Sequence, residues 1–419
     1  MVYTYAQDNG ISAVLEPIPG VVSVSVGLWI KSGSRNEPEG SHGYAHFIEH
    51  MLFKGTERHT AKEIAGMVDR VGGQHNAATN REYTCYYINV ISDHLELALS
   101  LIAETYYDSL FDAAELEKEK NVVMEEIRMY EDTPDELIHD VFMETMLMDH
   151  PLGHSILGTG ESIGGVTRGS LVDFYRGQYR NDNAVIAIAG NFEKKRAEEL
   201  IGKFFGRPNG KEGAMSPLAP EPRRDDFRHI GKDLEQVHVC LGAGGMRRDD
   251  DDRWPLYIMS TVLGGSMSSR LFQNIREKEG LSYSVYSFHS SYSDTGVFGI
   301  YCATLPENFD RVIDMMAGEC RDIAMKGVTA EELQDTKDFL KGNLALSLES
   351  VEVRMGQLAK DAITFHRSFS FDYIVEMINR VTLDDVMRVC HRVFGSRRLT
   401  VVTVGSIPAG RVPEGPLTW

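Results

Sequence analysis

The sequence predicts an α+β fold of two homologous α/β sandwich domains, each a mostly antiparallel sheet with helices packed on it. Three observations predict it. First, the chain of 419 residues repeats itself. Residues 24–35, VSVGLWIKSGSR, resemble 237–248, VHVCLGAGGMRR. Residues 166–179 resemble 381–394, and the apolar run AVIAIAG at 184–190 resembles LTVVTVG at 399–405. The offsets are 213, 215 and 215 residues, a near-constant spacing that two homologous halves produce. Second, strand-length runs at 23–30, 83–91 and 184–190 mix with long helical patterns at 93–107 and 112–131. Third, RPNGKEGAMSPLAPEPRRDD at 207–226 has four prolines, two glycines and no apolar periodicity, so it reads as an exposed connection. These features set domains at 1–209 and 227–419, joined by a linker at 210–226.

Composition removes several function classes. The chain is 42% hydrophobic and 25% charged, as a globular protein is. No run approaches the roughly 18 apolar residues that span a bilayer, and the start, MVYTYAQDNGISAVLEP, lacks the basic and apolar regions of a secretory signal. Lys and Arg total 43 against 62 Asp and Glu, a net charge of −19. Such a surface repels phosphate backbones and anionic lipid, so neither nucleic acid nor a membrane is expected as a partner. The five cysteines are scattered, odd in number and form no CxxC pair. That pattern fits reduced thiols, not a disulfide frame or a thiolate zinc site, and a cytoplasmic protein is expected.

The chemistry begins at His46-Phe47-Ile48-Glu49-His50. A helix is expected here, with Ser41 as N-cap and a stop near Gly55. At about 100° per residue, Tyr44, Phe47, Ile48, Met51 and Leu52 form one apolar stripe, and His46, Glu49 and His50 fall opposite it. The two imidazoles sit one turn apart and can reach one ion, with Glu49 between them in projection. This is the H-x-x-E-H pattern. Neutral imidazoles suit Zn²⁺, and a nearby carboxylate can act as a base toward water.

A catalytic zinc site needs a third protein ligand. The segment DAAELEKEKNVVMEEIRMYED predicts a helix with Asp112 as N-cap and Glu115 three residues on. Leu116, Val123, Ile127 and Tyr130 define its buried stripe. Glu119 and Glu126, seven residues apart, share nearly one azimuth at the edge of that stripe, where a partly desolvated carboxylate wants a cation. Glu117, Glu125 and Glu131 point toward water. Spacing by itself does not choose Glu126.

The run HGYAHFIEHMLFKGT, the NAAT segment at 76–79 and EKEKNVVMEEI resemble the pitrilysin family of metallopeptidases. The two-domain branch typified by the mitochondrial processing peptidase fits best, over essentially the whole chain. The resemblance implies a zinc-dependent endopeptidase acting on short or unfolded peptides, with one Zn²⁺ per chain. It makes His46, His50 and Glu126 the ligands, since the family's third ligand lies about 76 residues beyond the second histidine. Glu49 becomes the general base, and Glu119 a second member of the catalytic set that supports the site. Asn76 and Ala77, in the turn-and-strand segment 72–90, would contact the main chain of a peptide added as an edge strand. Arg276 and Tyr283, in the pattern R-x-x-x-G-L-x-Y, would bind substrate carbonyls. Longer family members carry four such domains, so a homodimer is implied, with Arg276 and Tyr283 reaching the zinc site of the other subunit. A heterodimer with an inactive paralogue is the rival arrangement. A non-catalytic binding or assembly subunit, like the silent core proteins related to this family, is the rival function. His42, His59, His75, His150 and His154 have no ligand spacing to the motif and are expected to be structural or at the surface.

The repeat checks the ligand set. Aligned at an offset of 210, His46, Glu49 and His50 meet Leu256, Met259 and Ser260; at 217, Glu126 meets Asn343. The second copy keeps the pattern of elements and lacks every ligand.

Overall fold

The computed structural model describes residues 1–209, 219–222, 226–407, 415 and 417–418. Of the expected linker, 210–218 and 223–225 lie outside the described residues. The first sheet contains β1 (Tyr3–Ala6), β2 (Ser12–Pro17), β3 (Ser23–Ile30), β4 (Gln74–Thr79), β5 (Thr84–Ile91) and β6 (Ala184–Gly190), in the order β1-β2-β6-β3-β5-β4. The second contains β7 (Phe227–Ile230), β8 (Val237–Gly244), β9 (Ser282–Ser291), β10 (Gly296–Thr304), β11 (Arg398–Val404) and β12 (Leu417–Thr418). Its path β7-β11-β8-β10-β9 repeats β2-β6-β3-β5-β4 strand for strand. In each sheet only the first of those pairings is parallel. The fold is therefore a mixed α/β one with two sheets of equivalent topology, as the internal repeat implies.

The runs at 23–30 and 184–190 lie in the middle of the first sheet, and β6 is buried at every position. Their near-continuous apolar character follows from having both faces covered. By contrast β4, at the sheet edge, alternates exposed and half-buried residues. On one face of the first sheet pack α1 (Tyr44–Leu52), α3 (Leu95–Asp108) and α4 (Ala113–Glu131), with α2 (Ala61–Asp69) beside them. Phe47, Ile48, Leu99, Leu116 and Val123 join Val26, Leu28 and Ile88 in one core.

The other face shows what the halves exchange. The helix Val351–Phe365, from the second half of the sequence, covers the first sheet through Met355, Leu358 and Ala359 against Val14, Trp29 and Val185. Reciprocally, α5 (Pro134–Met146) covers the second sheet through Ile138, Phe142 and Met146 against Cys240, Tyr301 and Val402. Full burial of such Leu, Met or Phe side chains contributes roughly 1.5–3 kcal/mol each. Two strand glycines receive them. A Cβ on Gly27 would lie 2.6 Å from Met355 Sδ, and one on Gly242 would lie 2.3 Å from Phe142 Cε2. The two compact units divide within α4, between Arg128 and Met129, and within the helix Ala330–Ser347, between Leu344 and Ala345. They thus differ from the contiguous halves 1–209 and 227–419 by these exchanged helices. An amphipathic pattern says that a helix has a face to bury but not which sheet will bury it.

All five cysteines are buried and unpaired. Among the described residues no helix is long and apolar enough to cross a membrane.

Candidate metal centre

The helix α1 begins at Tyr44, not directly after Ser41. Its N-cap is Gly43, at φ +90°, and the Ser41 carbonyl accepts from Tyr44 N–H at 3.2 Å. The free amides at the helix start are taken by a carboxylate from the preceding loop: Glu37 Oε2 accepts from Gly43 N–H (2.9 Å) and Oε1 from Ala45 N–H (2.8 Å). Burial pushes the Glu37 carboxyl up to about 8 against the pull of those two amides. Gly43 meets the φ requirement and leaves room, since a Cβ there would lie 2.5 Å from the Leu157 carbonyl oxygen. The helix so anchored buries Tyr44, Phe47, Ile48, Met51 and Leu52, the predicted stripe, and leaves His46, Glu49 and His50 half-buried.

The start of α4 is capped as expected, with Asp112 Oδ1 accepting from Ala114 (2.8 Å) and Glu115 (3.1 Å). Leu116, Val123 and Ile127 are buried and Tyr130 half-buried; Glu117, Glu125 and Glu131 are exposed. Of the two candidate glutamates, Glu126 faces both imidazoles. Its Oε2 lies 3.7 Å from His46 Nε2 and 3.4 Å from His50 Nε2. One ligand atom from each of the three residues falls within 4.8 Å of the others. Two of the group's atoms are buried without a hydrogen-bond partner, Glu126 Oε2 and His46 Nδ1. Burial and the adjacent His50 hold the His46 imidazole down at about 3, hence neutral. Two imidazoles and one carboxylate oxygen, converging and not hydrogen-bonded to one another, form a donor set that fits Zn²⁺.

Glu119 sits elsewhere in the same group. Its Oε2 is 3.1 Å from His50 Nδ1 and its Oε1 is 2.6 Å from Lys54 Nζ. An ionised carboxylate only accepts, so His50 donates from Nδ1 and keeps the Nε2 lone pair for a ligand position. Glu119 thus contacts His50 and Lys54 and is not one of the three converging donors. The ring centroids of His46 and His50 are 4.7 Å apart at an interplanar angle of 72°.

Glu49 is held by β4. Both the hydroxyl and the amide of Thr79 donate to its carboxylate. Burial pushes the Glu49 carboxyl up, the Thr79 bonds and His50 pull it down, and Glu126 pushes it up again. Along the same strand Asn76 is exposed, and its Oδ1 accepts from Ala77 N–H at 2.9 Å. Asn80 N–H donates to the Tyr83 carbonyl at 2.8 Å, so by the alternation of an antiparallel pair the Ala77 amide, three pairs along, faces the open edge of the sheet, where the Asn76 side chain accepts it.

Arg276 and Tyr283 are brought together in the second unit. The guanidinium lies 4.4 Å from the centroid of the Tyr283 ring, which is 79% exposed. The five other histidines considered from the sequence have structural partners: His59 Nδ1 meets Glu104 (2.8 Å), His75 packs edge-on to Phe53, His150 Nδ1 accepts from Leu152 N–H (3.1 Å), and His42 packs on His154. Sequence reasoning missed Lys54, Thr79 and Glu37. Lys54 carried a signal, because it lies one turn beyond His50. Thr79 acts from 30 residues away in sequence, which no local pattern encodes, and Glu37 from six to eight residues before the amides it accepts, outside the usual capping positions.

Comparison with known proteins places the chain in a family. Residues 12–160 match the family model described as Insulinase (Peptidase family M16), and residues 165–340 match the Peptidase M16 inactive domain. The uncharacterized zinc protease YmxG of Bacillus subtilis is 40% identical over 394 residues, 94% of this chain and 96% of that protein. An uncharacterized zinc protease of Streptomyces coelicolor is 36% identical over 406 residues, 95% of this chain and 88% of that protein. A solved protease from Helicobacter pylori superposes with a TM-score of 0.89 at 24% identity, covering 97% of this chain and 99% of that one. A solved peptidase M16 inactive domain from Pseudomonas fluorescens superposes at 0.91 with 23% identity, over 97% and 99% of the two chains. Those two show the fold, and the family models and relatives show the kinship: this chain belongs to peptidase family M16.

Proposed function

We propose that the chain is a zinc-dependent endopeptidase that hydrolyses short or unfolded peptides laid along β4 as an added strand, with one Zn²⁺ per chain on His46, His50 and Glu126. The observation that carries this reading is the convergence of three donor atoms within 4.8 Å, beside a fourth side chain, Glu49, that Thr79 holds and that is not one of them. The relatives named as zinc proteases support it. Zinc, when bound, supplies Lewis acidity toward water and the scissile carbonyl. Glu49 moves the proton, taking it from the attacking water and passing it to the leaving amine. Thr79 fixes the carboxylate in one orientation, which spares the entropy of finding it. The outward Ala77 amide pairs with the peptide main chain, so an extended substrate is selected over a folded one. No covalent acyl intermediate is needed.

Arg276 and Tyr283 form the second part of the reading. In a homodimer they would bind substrate carbonyls at the zinc site of the other subunit; a heterodimer with an inactive paralogue is the rival arrangement. Five buried, unpaired cysteines support a reducing, cytoplasmic setting. The test is cleavage of a quenched extended peptide with and without a chelator. Chelation should abolish it and added Zn²⁺ restore it; cleavage indifferent to metal refutes the reading.

A further inference from the structure

We propose that Lys54 is a positioning residue of the metal centre, acting through Glu119 to hold His50 in the tautomer and orientation that leave Nε2 free for the ion. The inference rests on the zinc reading above and adds a residue that the H-x-x-E-H pattern does not contain.

The geometry is a chain of three side chains. Lys54 lies just past α1, and its amide donates to the Met51 carbonyl at 3.1 Å, which ties its backbone to the last turn. From there Nζ reaches Glu119 Oε1 at 2.6 Å, while Oε2 of the same carboxylate meets His50 Nδ1 at 3.1 Å. The two oxygens are divided between two partners, so the carboxylate cannot turn about its Cγ–Cδ bond without breaking both contacts. Glu119 has a side chain only 5% exposed, whereas that of Lys54 is 33% exposed. A carboxylate so enclosed, with Lys54 removed, would be held from one side alone and free to swing off the imidazole. His50 would then lose the acceptor that keeps its proton on Nδ1.

The second copy supports treating the trio as one device. At the two repeat offsets, Lys54 corresponds to Gly264, His50 to Ser260 and Glu119 to Thr336. All three members are absent together, in a unit whose sheet order and strand pairings are the same. The fold does not need the chain of contacts, and a metal ligand does. A purely neutralising role for Lys54 would serve the stability of the unit and leave zinc affinity alone, which separates the two roles experimentally.

The test uses the full-length zinc-loaded protein and reads zinc loss to a competing chelator, together with melting of the zinc-free and zinc-loaded forms. Lys54→Met should lose zinc about 10–100-fold more readily, the usual cost of removing a residue that supports a metal ligand. Lys54→Arg should stay within about threefold of wild type because it keeps a donor and the charge. Added to Glu119→Gln, Lys54→Met should cause no further loss. Should Lys54→Met fail to fold, Lys54→Gln gives the same reading, with zinc loss expected between those of wild type and Glu119→Gln. Wild-type zinc retention by Lys54→Met or Lys54→Gln overturns the proposal. So do losses that multiply in the double variant, or equal melting shifts in both forms at constant affinity. If wild type takes up no zinc, or if His50→Ala retains it normally, the zinc reading itself fails, and the result is recognisable as that.

Discussion

The two sheets share one order and one pattern of pairings, yet the helices at the equivalent place in each hold opposite chemistry. In the first unit α1 presents His46, Glu49 and His50 half-buried, with Glu126 brought to them by α4. In the second, the helix Arg253–Gly264 puts Leu256, Met259 and Ser260 at those positions, all buried, and Asn343 stands exposed where Glu126 would be. The architecture accepts either set. The apolar set packs, while the polar set leaves Glu126 Oε2 and His46 Nδ1 buried without partners. An unsatisfied buried polar atom costs about 1–3 kcal/mol. Tyr5 Oη and Ser34 Oγ of the same unit are buried without partners too, and an ion on the three donors would satisfy Glu126 Oε2 but not His46 Nδ1, since it is His46 Nε2 that faces Glu126.

Variants in the two helices should therefore fail in different ways. The largest expected effect is from Glu49→Gln, which should lower kcat on a quenched peptide by about 10²–10⁴-fold, the range for a general base, while zinc content is unchanged. Full turnover by that variant would break the contrast at once. Next, Leu256→Ala at the position of His46 should cost about 2–5 kcal/mol in urea unfolding and leave zinc content as it was. A loss of zinc without a loss of stability would mean that the second copy is not the structural one.

Smaller effects sharpen the picture at the edges. Ala77→Pro deletes the outward amide of β4 at a position where an edge strand accepts proline. It should raise KM for an extended peptide by roughly tenfold, one hydrogen bond's worth, with zinc retained. An unchanged KM would place the substrate elsewhere. The smallest effect concerns Glu37. Its folded carboxyl is raised to about 8, so between the ordinary carboxylate range and pH 8 the folded state binds more protons than the unfolded state. Stability attributable to Glu37 should therefore decline as pH rises through that window. Glu37→Gln should flatten the decline by on the order of 1 kcal/mol, and parallel melting curves against pH would refute the assignment.

Much of this site was legible before the fold was. The H-x-x-E-H spacing fixed which side of α1 carries the imidazoles, because 3.6-residue periodicity is local. The shared azimuth of Glu119 and Glu126 was legible for the same reason, but their division of labour was not. Only packing decides that Glu126 faces both Nε2 atoms while Glu119 turns to His50 Nδ1 and Lys54. A start directly after Ser41 does not hold because the N-cap is Gly43, with its own amide and that of Ala45 satisfied by Glu37 from the preceding loop. The exchanged helices were invisible as well, although Gly27 and Gly242 in mid-strand marked where something had to approach closely.

The most direct test of the central claim is zinc stoichiometry with X-ray absorption spectroscopy on the purified chain. One zinc per chain is expected, with nitrogen and oxygen neighbours at about 2.0–2.2 Å and two imidazole contributions. That signal should vanish in His46→Ala and persist in Leu256→Ala. A chain without zinc after loading, or a first shell containing sulfur at about 2.3 Å, would contradict it.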